Sequence, residues 1–143
     1  MFKRLFKCGK SLLRMCEVCF VKAALPAYRV GNELYVFPHF GRAPYFVLAE
    51  VFGEGFKVLD VIRNPYVLHE RGKGHGIVSM LLSHNVDAVI VSEIGHGAFY
   101  ALRDSGVKIF KLPKMKGKIT IEKALTLLTR GKLEEAHEPT EHH

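Results

Sequence analysis

Phe37-Pro38-His39-Phe40-Gly41-Arg42 gathers an imidazole, two aromatic rings, a glycine and a guanidinium immediately ahead of the apolar run Tyr45–Val51. A neutral imidazole can ligate a metal, and a guanidinium offers a rigid fork of donors to an anion. Two more histidines stand between glycines, in Gly74-His75-Gly76 and Gly95-His96-Gly97. Glycines at a helix start can expose backbone N–H groups to an anion at the positively polarised end. These residue types could serve a metal or an anion, and their spacing in the sequence proves neither. Each piece also has a structural reading. Gly72-Lys73-Gly74-His75-Gly76 is neither a dinucleotide fingerprint nor a phosphate loop ending in Gly-Lys-Ser/Thr, and serves equally as a connector. Histidines 39, 69, 75 and 96 show no i,i+4 pair, and Glu93 can cap the helix that follows it. Cys16 and Cys19 lie three apart, where a helix would let two thiolates meet, but a four-coordinate zinc site needs two more ligands.

The elements that must position these residues follow from the periodicity. Phe20–Leu25 is a β-prone run ended by Pro26, and Tyr28–Val36 a loop or small hairpin. Two apolar runs flanking Gly53-Glu54-Gly55 form a β-hairpin. Helical and strand periods then alternate. Residues 74–85 form a helix closed by Asn85, 87–93 a buried strand, and 97–106 a helix stopped by Gly106. Residues 107–112 form a strand, and 120–131 a helix with Thr120 as N-cap and Gly131 as its stop. The order β, β-β, α, β, α, β, α builds a mixed sheet with helices on it, in which the strand at 44–51 runs against its neighbours. Loops leaving the parallel strands then emerge on one edge. They bring His39, Phe40, Gly41 and Arg42 together with His69, Arg71, Lys73 and His75. Ser92 to Gly97 and Lys111, Lys114, Lys116 and Lys118 complete that edge. Ligands of open α/β sheets sit at such an edge, where the connections diverge. Here that point lies between the first strand and the strand ending at Glu93.

The chain divides into a basic amphipathic extension over 1–19, a domain over 20–133 and a polar acidic and histidine-bearing tail over 134–143 that frays. Residues 1–22 carry six basic side chains against Glu17, and residues 132–143 carry Lys132 against four glutamates, within a net charge of +7. An excess of this kind favours anionic partners without naming one. With 48% apolar and 24% charged residues the balance is that of a globular domain. No apolar stretch approaches the ~20 residues of a membrane-spanning helix, and Lys7, Lys10 and Arg14 interrupt any signal-peptide core. A cytoplasmic protein is expected. Three cysteines, all within residues 8–19, exclude a disulfide framework through the domain.

Phe37 to Phe46, read as FPHFGRAPYF, resembles the signature of the dinitrogenase iron-molybdenum cofactor biosynthesis family. The Gly-His-Gly helix start at 74–76 and the stretches Val86–Phe110 and Thr120–Leu133 extend the resemblance over about Val21 to Leu133. It implies a ribonuclease-H-like three-layer α/β/α fold with a five-stranded mixed sheet of order 3-2-1-4-5, strand 2 antiparallel. It also implies a non-enzymatic carrier of iron–sulfur or iron–molybdenum clusters, working with a cofactor-assembly partner protein. The cluster would be held by His39, Phe40, Gly41, Arg42, Gly74, His75, Gly76, Gly95, His96 and Gly97, with one or two of His39, His75 and His96 as metal ligands and Phe40 as a shield from water. The alternative is a ribonuclease-H-like nuclease or a nucleic-acid binder using the basic surface. A nuclease of that fold needs clustered carboxylates, one of them on the first strand, and FVKAALP has none. The basic aromatic residues 1–22 are the segment that would meet a nucleic acid or a membrane surface, though neither partner is expected.

Overall fold

A computed structural model describes residues 21–53, 55–66, 73–114 and 117–140. The extension over 1–19, with Cys8, Cys16 and Cys19, lies outside the described residues. The elements are β1 (Val21–Val30), β2 (Glu33–Val36), β3 (Tyr45–Val51), β4 (Phe56–Arg63), α1 (Lys73–Ser83), β5 (Ala88–Val91), α2 (His96–Asp104), β6 (Lys108–Lys111), α3 (Ile121–Thr129) and β7 (Glu134–Glu135).

The strands form one mixed sheet in the order β4-β3-β1-β5-β6-β7, with β2 on β1. It has seven strands where five were expected. β3 is antiparallel to both β1 and β4, while β5 is parallel to β1 and to β6. Local chemistry sets the ends of the helices. Asn85 closes the turn after α1 with φ of 62°, Gly106 follows α2 at φ 85°, and Gly131 follows α3 at φ 69°. The Thr120 side chain accepts from the backbone N–H of Lys123 at 3.1 Å, the N-cap its position implied.

Two features depart from the sequence reading. The first is Pro26, which does not end β1 but sits inside it, paired with Phe46 of β3. In a strand the N–H and C=O of one residue point to the same edge, and the Pro26 carbonyl accepts from Phe37 N at 2.8 Å. Its missing N–H therefore faces away from β3, toward the side that β5 and β2 share. β5 pairs only as far as Ala24, and β2 begins its pairing at Ala27. Pro26 falls in that gap, where no ladder bond is lost. The second is the tail, which does not fray through residue 140. β7 pairs antiparallel with β6, and Ala136 N donates to Ile109 O at 2.7 Å. Thr140 then donates its N–H to Ile94 O and accepts from Ile94 N at 2.6 Å through its hydroxyl. The polar composition concealed a strap held by backbone bonds, with Pro139 buried beneath it.

The sheet separates two apolar cores. One gathers Phe40, Phe46, Ile77, Leu81, Ile94, Phe99 and Leu102 beneath α1 and α2. The other gathers Leu25, Val47, Ile90, Phe110, Leu112, Leu125 and Leu128 beneath α3. The alternation of β1 decides which residue goes where, with Ala24 in the first core and Ala23, Leu25 and Ala27 in the second.

Candidate functional site

The carboxyl ends of β1, β5 and β6 meet on one edge, and the segment after β2 is stitched across it. Glu93 N donates to Pro38 O at 3.1 Å, and Phe40 N donates to Glu93 O at 3.2 Å. These bonds make a parallel bridge between His39 and Glu93. The side chains meet as well, His39 Nδ1 lying 3.2 Å from Glu93 Oε1 with both about half exposed. Glu93 is thus occupied by His39 rather than capping α2. The N-cap is Gly95, which makes no side-chain cap bond.

A 3-10 turn over Phe40–Arg42 follows, closed by Arg42 N donating to His39 O at 3.1 Å. It turns Phe40 inward, 1% exposed, with its ring 5.2 Å from that of Phe46. That corrects the expected role of Phe40, which anchors the loop in the α1/α2 core and does not screen the rim. Arg42 is exposed and makes no ion pair among the described residues. Bracing by an acidic partner therefore does not account for it there.

Asn64 completes the support, and the sequence reading overlooked it. Only 1% exposed, it is the one buried polar side chain among the described residues. Its Nδ2 donates to Ala43 O at 2.8 Å, its N–H to Pro44 O, and its Oδ1 accepts from Tyr66 N at 2.9 Å. The Asn64-Pro65 dipeptide, a turn signal, was the clue available. Tyr66 in turn lies on Gly76 of α1, where an added Cβ would come within 2.5 Å of the ring. Packing against Tyr66 therefore favours a glycine at 76.

On the α1/α2 side of the edge stand His39, Arg42 and the start of α2. His96 is the first residue of α2, exposed, with its ring 6.5 Å from that of Tyr100. A Cβ on Gly97 would meet nothing within 4 Å, so the backbone there is open to approach. His69, Arg71 and Gly72 lie outside the described residues, as do the side chains of Lys73 and His75. Among the described residues no three His, Cys, Asp or Glu side chains converge as a metal-binding set. The clustered carboxylates of a two-metal nuclease are therefore absent there, and that reading gains no support.

On the α3 side of the same edge is a depression of about 550 Å³, walled by Tyr28, Val36 and Pro38, by Ser92 and Glu93, and by Lys111–Lys114 and Gly117–Ile119. Thr140 of the strap closes its margin. The edge lysines, expected to serve the same ligand as His39, gather here instead. Lys116 lies outside the described residues.

The profile of the dinitrogenase iron-molybdenum cofactor family matches residues 22–131. The chain belongs to this family. An uncharacterized protein of Methanocaldococcus jannaschii is 28% identical over 123 residues, which cover 86% of this chain and 98% of that protein. Among solved structures, a candidate NifB protein from Thermotoga of the DUF35 family is 29% identical at a TM-score of 0.64, covering 80% of this chain and 92% of that one. The apo form of the orange protein from Desulfovibrio gigas shares the fold at a TM-score of 0.71 and 24% identity, covering 84% and 96%. Among the described residues no helix is long and apolar enough to cross a membrane. The strap over 134–140 lies beyond the stretch that defines the family.

Proposed function

We propose that the protein is a cytoplasmic carrier for an anionic metal cluster of the iron–sulfur or iron–molybdenum type. It would work in cofactor assembly or trafficking, receiving or delivering the cluster through a partner protein of that assembly. The ribonuclease-H-like three-layer reading, with its 3-2-1-4-5 core order, belongs to the same proposal. Membership of the family supports it, and one structural observation carries it. The His39–Glu93 stitch brings an imidazole, the turn that ends in Arg42 and the open amino end of α2 to the point where the sheet connections diverge.

Each group has a role in that reading. Glu93 holds Nδ1 of His39 and orients the ring, so ligation by His39 would use Nε2, as carboxylate-supported histidines do at metal centres. His96, and His75 at the start of α1, are the candidates for a second imidazole. Arg42 and the N–H groups around Gly41, Gly74 and Gly95–Gly97 offset the cluster's negative charge.

The test is reconstitution of the metal-free protein with iron and sulfide, or with a molybdenum-containing cluster, under anaerobic conditions, read by absorption and metal analysis. His39→Ala and His96→Ala are expected to lower cluster retention several-fold. His84→Ala is the control, because its carbonyl accepts from Lys22 Nζ at the amino end of β1, on the opposite edge. Equal losses from His84→Ala and His39→Ala overturn the site, and a protein that retains no metal overturns the function.

A further inference from the structure

The depression on the α3 side has a different chemistry from the histidine rim. Lys111, Lys114 and Lys118 all line it. None of the three makes an ion pair among the described residues. Among the described residues its one carboxylate is Glu93, already engaged by His39. Three cations with no ion pair among the described residues, set around a concave surface, concentrate a positive field there. Gly117, at φ 79°, turns the loop, and Lys118 Nζ stands 5.4 Å from the Tyr35 ring centroid beside the wall. Among the described residues no histidine, cysteine or methionine lines the depression, so they offer it no soft donor for a metal. Its floor is apolar instead, made by Val36 and Leu112, both buried, with Ile119 and two prolines, and Tyr28 supplies an aromatic wall. A volume of about 550 Å³ is that of a small-molecule site, larger than a bare oxyanion fills.

We propose that this depression is a second binding site, for an organic polyphosphate of nucleoside-diphosphate size. Its phosphoryl groups meet Lys111, Lys114 and Lys118, and its planar body lies on the Val36–Leu112 floor against Tyr28. Lysine serves phosphoryl groups as a point charge without demanding a fixed geometry. Three separate ammonium groups call for more than one negative charge. The apolar floor calls for a body that inorganic phosphate lacks. The site stands apart from the cluster reading, sharing only the His39–Glu93 stitch as a wall.

Calorimetric titration of the full, metal-free chain with ADP, adenosine and pyrophosphate tests it. ADP is expected to bind at least tenfold more tightly than either fragment, and less tightly as salt rises. Lys111→Ala, Lys114→Ala and Lys118→Ala are each expected to weaken ADP by about tenfold, the size of one lost charge-assisted contact. Lys57→Ala, on the far edge strand β4, is expected to leave it unchanged. His96→Ala is expected to keep ADP binding even where cluster retention falls, so failure of either reading shows separately. Absence of ADP binding at millimolar concentration overturns the proposal. So does equal binding of pyrophosphate, tighter binding of a single-stranded oligonucleotide, or indifference to all three lysine substitutions.

Discussion

Gly76 shows how a residue chosen for chemistry by its neighbours can be held by packing. Its α-carbon lies against the Tyr66 ring, and a methyl group there would stand 2.5 Å from a ring carbon. Gly76→Ala is expected to destabilise the protein by about 1–3 kcal/mol in urea unfolding, as overpacking does. Tyr66→Leu in the same chain is expected to recover part of that loss. Phe40→Ala, which empties a ring site 1% exposed, is expected to cost about 3–5 kcal/mol. Arg42→Lys is the contrasting case at an exposed position. It is expected to leave the melting temperature nearly unchanged while weakening retention of an anionic cluster, because lysine cannot reproduce the guanidinium fork. The sequence placed all three residues at the right edge. It did not reveal that Phe40 is buried in the core or that Gly76 lies under a ring, because Phe46 and Tyr66 reach them only through the folded sheet.

The helices were legible because their signals are local. Caps at Thr120, Asn85 and Gly131 act within a turn or two of the residues they close. β1 was not, because whether proline breaks a strand depends on which edge its absent N–H faces, and that depends on where β5 and β2 stop. β7 was hidden for a related reason. Two glutamates in a polar tail carry no strand period, and what recruits them is the open backbone edge of β6, with Lys108 Nζ 3.6 Å from Glu135 Oε2. Thr140→Val retains the shape of the strap and removes its hydroxyl bond to Ile94, at an expected cost of about 1 kcal/mol. Cutting the chain after Leu133 removes β7 and the Ile94 contacts together. A lower melting temperature than that of Thr140→Val, by differential scanning calorimetry, is the expected result.

Across the whole molecule, the two proposed sites share one sheet edge from opposite faces, with one backbone stitch between them. The order of elements was enough to show that such an edge exists, since the connections out of the parallel strands converge there. It was not enough to separate the lysines from the histidines. That separation comes from the path of the segment over 36–40, which crosses the end of β5 and leaves α1/α2 on one side and the Lys111–Ile119 loop on the other. The extension over 1–19 joins β1 at its amino end, the edge away from His39. A chain beginning at Phe20 is therefore expected to fold, by circular dichroism, and to retain the same cluster. Loss of retention with the fold intact would assign Cys16 and Cys19 to the site.

The strap also bears on how the protein is made. β1 lies at the centre of the sheet yet is synthesised among the first of its strands, and its parallel partner at Ala88 and Val89 is made much later. Until residues 134–140 have cleared the ribosome, β6 is an open edge and Ile94 has no clasp. The nascent chain thus passes through a stage with its sheet nearly built and one flank adhesive, the condition in which newly made strands pair with the wrong neighbour. Ribosome-bound chains stalled before residue 134 are expected to be cut by protease near β6, and full-length chains carried clear of the ribosome by an added carboxyl-terminal linker to resist.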